Sequence, residues 1–147
     1  MNASSTIHTI SRPGWSLRRL LASFAAACFI GAFLTDLTYA KSMNFIWANF
    51  SAWLLAFGMI MSGLAIAAVV LAAVVRKRST PVIEIVGGAL VTALSLFNNF
   101  VHSRDGYTSV VPLGLTLSAI VVAIIVVTGL LIGGAAPWLR TRTESDQ

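Results

Sequence analysis

The sequence is poor in charge, in histidine and in cysteine, and each shortage removes a class of protein. Only 10% of its 147 residues are charged, against roughly 25% in soluble domains, which excludes a chain whose surface lies in water. The two histidines are His8 and His102. An intramembrane haem wants paired axial ligands on facing helices, and zinc wants three or four ligands, so neither is expected, nor is any other cofactor. Two histidines also leave no credible Ser-His-Asp order, and no Gly-rich phosphate loop follows a strand. The residues therefore point away from an enzyme. The single cysteine, Cys28, lies inside an apolar run; it can close no intrachain disulfide, belongs to no C-x-x-C motif and is read as packing. Internal repeats and low-complexity tracts are also lacking.

What remains is apolar. Hydrophobic residues make up 57% of the chain, and the mean hydropathy is +0.86. A bilayer-crossing helix needs about 20 apolar residues, so one domain of this length has room for four spans and little else. The predicted fold is an all-α integral membrane protein, a four transmembrane helix bundle. Residues 1–19 are read as a cytoplasmic leader, 20–135 as the membrane domain and 136–147 as a cytoplasmic tail. The spans are placed at about 20–40, 50–75, 82–101 and 110–135. Pro112 opens the fourth, where its missing N–H costs nothing.

The formal net charge is +5, yet the basic residues cluster beside apolar runs instead of lining one face. They are a topology signal and not a nucleic-acid footprint. Arg12, Arg18 and Arg19 precede the first span, Arg76, Lys77 and Arg78 fill the middle turn, and Arg140 and Arg142 follow the last; only Lys41 and Arg104 lie on the other side. Because Lys and Arg near span ends stay in the cytoplasm, both termini are expected inside, in a bacterial inner (cytoplasmic) membrane. One rival reading makes Ser16-Leu17-Arg18-Arg19, the following apolar run and Thr38-Tyr39-Ala40 a cleaved signal peptide. Against it, the run is long for a signal and Asp36 stands just before the cut.

Polar residues gather in two places. On the third span, Glu84, Gly88, Thr92, Ser95, Asn98, Asn99 and His102 fall within an arc of about 120° at 100° per residue. In hydrocarbon such a face must find internal partners, so it is expected to point into the bundle, as interhelical bonding or as a polar path. Around the outer end, Asp36 and Arg104 are natural partners for a bidentate ion pair. Asp105-Gly106 reads as a turn, and Tyr39, Trp47, Trp53 and Tyr107 form an aromatic belt. The candidate site is therefore Asp36, Tyr39, Asn98, Asn99, His102, Arg104 and Asp105, with the helix-three stripe of Glu84, Thr92 and Ser95 below it. His102 is read as an interfacial hydrogen-bonding residue. Gly58-x-x-x-Ser62, Gly114-x-x-x-Ser118 and Gly129-x-x-x-Gly133 are small-residue grooves suited to close packing.

Three stretches, FIGAFLTDLTYAKS, FIWANFSAWLLAFGMIMSGLA and FNNFVHSRDGYTSVVPLGLTLSAIVV, resemble a family of predicted bacterial inner-membrane proteins, a four-span domain of unknown function. The likeness runs from Phe29 to about Gly134. Its most specific part is His102-Ser103-Arg104-Asp105-Gly106 followed by Ser109-Val110-Val111-Pro112. The family's His-Pro-x-His-Pro segment before the first span is absent: Arg12-Pro13-Gly14-Trp15 stands there. The resemblance implies the topology and a polar end between Asp36 and Arg104, but no activity. Two functions stay open. One is an accessory or anchor subunit whose periplasmic face docks a partner protein. The other is a small oligomeric transporter or channel that uses the polar face of helix three. The expected partners are the lipid bilayer and either a homo-oligomer or a periplasmic protein.

Overall fold

Long runs of Leu, Ala, Ile, Val and Phe can satisfy their backbone groups in lipid only by coiling into helices. The computed structural model describes residues 17–76, 82–104 and 110–132. Within them the chain forms α1 (Leu17–Ser42), α2 (Phe45–Arg76), α3 (Val82–Ser103) and α4 (Leu113–Ile132). Each is long and apolar enough to cross a membrane, and no strand occurs among the described residues. The expected leader up to residue 16, the basic turn from Lys77, Asp105 with its turn, Tyr107 and the tail lie outside the described residues.

The links that are described are short. Met43 takes a positive φ of 52°, and its N–H donates to Tyr39 O at 2.8 Å, closing the end of α1. Asn44 then caps α2, its Oδ1 accepting from the N–H of Ile46 at 3.1 Å, the contact that orphan donors in a first turn require. A two-residue corner leaves α2 no course but back along α1. At the start of α4, Pro112 stands just before the first helical residue and its carbonyl accepts from Thr116 N–H at 3.0 Å.

Side-chain contacts give the register. Ser51 Oγ donates to Ala32 O at 3.2 Å, and Phe29 lies against Gly58, so α1 and α2 run antiparallel. Asn98 reaches Ser118, His102 reaches Gly114 and Gly87 reaches Thr128, so α3 and α4 do too. α1 and α3 each pack against both α2 and α4. They therefore stand diagonally across a square bundle and point the same way.

The core is made of Ala25, Phe29 and Ala32 from α1, Leu55 from α2, Val91 from α3 and Val121 from α4. Alanines at the α1–α2 contact, with Ala32 and Ala48 fully buried, let the backbones approach, which matters in a solvent as apolar as the side chains themselves. The bulky residues point outward instead. Phe50, Trp53, Phe57, Phe97, Phe100 and Leu130 are all exposed, as befits a lipid-facing surface. α2 has 32 residues, about 48 Å at 1.5 Å per residue, and must tilt or project beyond a core of about 30 Å.

Candidate functional site

The inward face of α3 decides where polar side chains can go. Glu84, Thr92, Asn98 and His102 are spaced along it so that each meets a different partner. Glu84 pairs with Arg18 of α1, and Thr92 Oγ1 is 2.6 Å from Ser62 Oγ of α2. Asn98 Nδ2 donates to Ser118 Oγ of α4 at 2.7 Å, and His102 Nε2 is 2.7 Å from Asp36 Oδ1 of α1. α3 is thereby tied to all three other helices. Arg18–Glu84 and Asp36–His102 share one sequence offset, 66, because α1 and α3 run parallel. Asp36 follows Arg18 by 18 positions, which places the two layers about 27 Å apart along the helix, close to the thickness of a hydrocarbon core.

The Asp36 layer has no exposed surface to speak of: Asp36, Asn98 and His102 are at 0% and Ser118 at 1%. Its hydrogen bonds form a closed circuit. His102 Nδ1 lies 2.9 Å from the carbonyl oxygen of Asn98; a carbonyl only accepts, so Nδ1 carries a proton. Ser118 Oγ donates to Asp36 Oδ2 at 2.5 Å and receives from Asn98 Nδ2, which brings the circuit back to Asn98. One proton then lies between Nε2 and Oδ1. Whichever atom holds it, the Asp36–His102 pair has zero net charge. An isolated buried charge would be prohibitive here, and a hydrogen-bonded pair avoids it.

Gly114 makes room for this layer. A Cβ there would stand 2.9 Å from His102 Cε1 and 3.5 Å from Asn98 Oδ1, so α4 can approach the imidazole only with glycine at this point. Two buried polar atoms on the same face of α3, Ser95 Oγ and Asn98 Oδ1, have no hydrogen-bond partner.

The residues nominated from the sequence are therefore divided. Asp36, Asn98 and His102 come together, and Thr92 and Glu84 bond at lower levels. Ser95 is buried among them, Asn99 is half-buried, and Tyr39 is half-buried one turn beyond Asp36. Asp105 lies outside the described residues. Arg104 is exposed past the last residue of α3, and the expected Asp36–Arg104 pair does not form: both carboxylate oxygens are taken, by His102 and by Ser118. The reason is helical phase. Two residues on from His102 is about 200° around the helix, so Arg104 cannot share the inward face. His102 is correspondingly a core residue and not an interfacial one.

Ser118 and Ser62 are the site residues that sequence reasoning missed as polar partners. Ser118 appeared only as the second small residue of Gly114-x-x-x-Ser118, and a lone hydroxyl in an apolar span carries no pattern of its own. Of the three small-residue grooves, Gly58 meets the Phe29 ring and Gly114 meets His102, whereas Gly129 has nothing within 4 Å.

Asp, His and Ser here do not make a nucleophilic triad. The serine touches one carboxylate oxygen and the imidazole touches the other, so the imidazole does not contact the hydroxyl as a triad requires. No group of three or more His, Cys, Asp or Glu that could hold a metal occurs among the described residues.

A family model described as a predicted membrane protein (DUF2231) matches residues 19–141. No curated protein and no solved structure matches the chain.

Proposed function

The chain belongs to the DUF2231 family of predicted membrane proteins, and from that premise we propose that it is an accessory or anchor subunit of the bacterial inner membrane, with both termini cytoplasmic and a periplasmic end that docks a partner protein. One observation carries this reading: the polar face of α3 is occupied from within, by Arg18, Ser62, Ser118 and Asp36. A transport path needs polar groups left over to replace the hydration of what passes, whereas these groups hold the helices to each other. In this reading the Asp36–His102–Ser118–Asn98 layer keeps the outer end of the bundle rigid, and the partner meets the surface around Tyr39, Trp47 and Arg104. The distribution of Lys and Arg supports the orientation.

A second reading, a small oligomeric transporter or channel using the same face, draws on Ser95 Oγ and Asn98 Oδ1, the two buried atoms there without partners. Purification in mild detergent from the native membrane separates the two. The anchor reading expects a second protein at fixed stoichiometry, lost on substitution of surface residues such as Arg104. A homo-oligomer that purifies alone and conducts ions in liposomes would replace it with the second reading.

A further inference from the structure

We propose that the Arg18–Glu84 end of the bundle holds an anionic phospholipid, its phosphate taken by the guanidinium of Arg18 and its chains laid along the end of α2. Charge gives the first reason. By chain order, the basic residues before and at the start of α1, between α2 and α3 and after α4 are met only by Glu84, Glu144 and Asp146, whereas Lys41 and Arg104 at the opposite end are offset by Asp36 and Asp105. The whole net charge of +5 therefore belongs to one end.

Arg18 also stands against a local rule. α1 and α3 both begin at this end, and the positive pole of a helix favours anions, yet the first turn of α1 holds Arg18 and Arg19 and no acid. An anion beside that turn reverses the penalty. Glu84 supplies part of it, meeting Arg18 through Nη1 and one carboxylate oxygen. That contact uses one of the five donors in a planar fork that fits phosphate, and Arg18 keeps part of its surface exposed. Donors therefore remain for a second anion beside the helix.

Depth makes the occupant a lipid instead of a free ion. Thr92 stands level with Ser62; Glu84 is eight residues from Thr92 and Arg76 fourteen from Ser62, which is about 12 Å against about 21 Å along the helices. The end of α2 thus overhangs the Arg18–Glu84 layer by about 9 Å, close to the thickness of one headgroup region, about 5–8 Å. Over that stretch α2 exposes Val70, Leu71, Val74 and Val75. A hydrated ion gains nothing from such a wall, while the glycerol and acyl chains of a phospholipid pack against it with the phosphate at the level of Arg18.

The test is native mass spectrometry of the detergent-solubilised full chain with added phosphatidylglycerol or, at the same concentration, phosphatidylcholine, with circular dichroism of every variant. Phosphatidylglycerol should be retained in preference. Arg18→Gln should weaken its retention about fivefold, the scale for one cation at an anionic surface, and leave phosphatidylcholine unchanged. Glu84→Gln, which releases Arg18 from its carboxylate, should strengthen it, and Lys41→Gln at the opposite end should match the wild type. Should Arg18→Gln fail to fold, the gain in Glu84→Gln and the silence of Lys41→Gln still decide. Equal retention of the two lipids, no gain in Glu84→Gln, a loss in Lys41→Gln as large as that in Arg18→Gln, or full displacement of phosphatidylglycerol by inorganic phosphate overturns the proposal.

Discussion

His102 Nε2 stands 2.7 Å from Asp36 Oδ1 with neither residue exposed, and this contact joins two helices that are diagonal in the bundle. Neighbouring helices can be held by small-residue packing. Diagonal ones are tied only by side chains long enough to cross the middle, and among the described residues Arg18–Glu84 and Asp36–His102 tie α1 to α3 in this way, one near each end of the membrane layer. Their common offset means that slipping α1 along α3 by one turn would break both together.

The two ties differ in strength. Arg18 and Glu84 keep 29% and 26% of their side-chain surface, so water and salt screen them, and such pairs are worth about 0.2–1 kcal/mol. Glu84→Ala should lower the detergent melting temperature slightly. The exchanged pair Arg18→Glu with Glu84→Arg should recover most of that loss, and the difference should shrink in high salt.

Glycine at two helix contacts admits a simple steric test. A Cβ at Gly58 would lie 2.6 Å from Cε1 of Phe29, and one at Gly114 would lie 2.9 Å from His102 Cε1. Both rings are fully packed. Overfilling such positions costs about 1–3 kcal/mol, so Gly58→Ala and Gly114→Ala should each melt several degrees early. Gly129→Ala, with open space around it, should melt with the wild type.

Orientation is checked by labelling. In a Cys28→Ala background, a cysteine at position 77 should resist an impermeant maleimide in intact cells and one at position 106 should react. The reverse pattern would put the termini outside. Sequencing the mature N-terminus tests the signal-peptide reading separately, since a start at Lys41 would remove α1.

Much of this architecture can be read from the residues, because in lipid both backbone and polar side chains have few choices. Apolar length is enough to assign four spans, and the 3.6-residue period places Glu84, Thr92, Ser95, Asn98 and His102 on one face. Partner choice is less legible. Ranking by formal charge favours Arg104 for Asp36, whereas the fold ranks by helical phase and selects the imidazole two residues earlier. Ser118 becomes visible as a partner only once the antiparallel register of α3 and α4 sets it opposite Asn98.

The contact between Asp36 and His102 is tested most directly by paired double-mutant cycles on thermal unfolding in detergent. Removing one member of a buried pair typically costs about 3–5 kcal/mol because the other is stranded, while removing an exposed Arg104 should cost about 0–1 kcal/mol. Asp36→Ala and His102→Ala should each be strongly destabilising, and the double variant should lose far less than their sum. In the companion cycle, Asp36→Ala and Arg104→Ala should simply add. Additive losses for Asp36 with His102, and coupling of Asp36 with Arg104, would contradict the account.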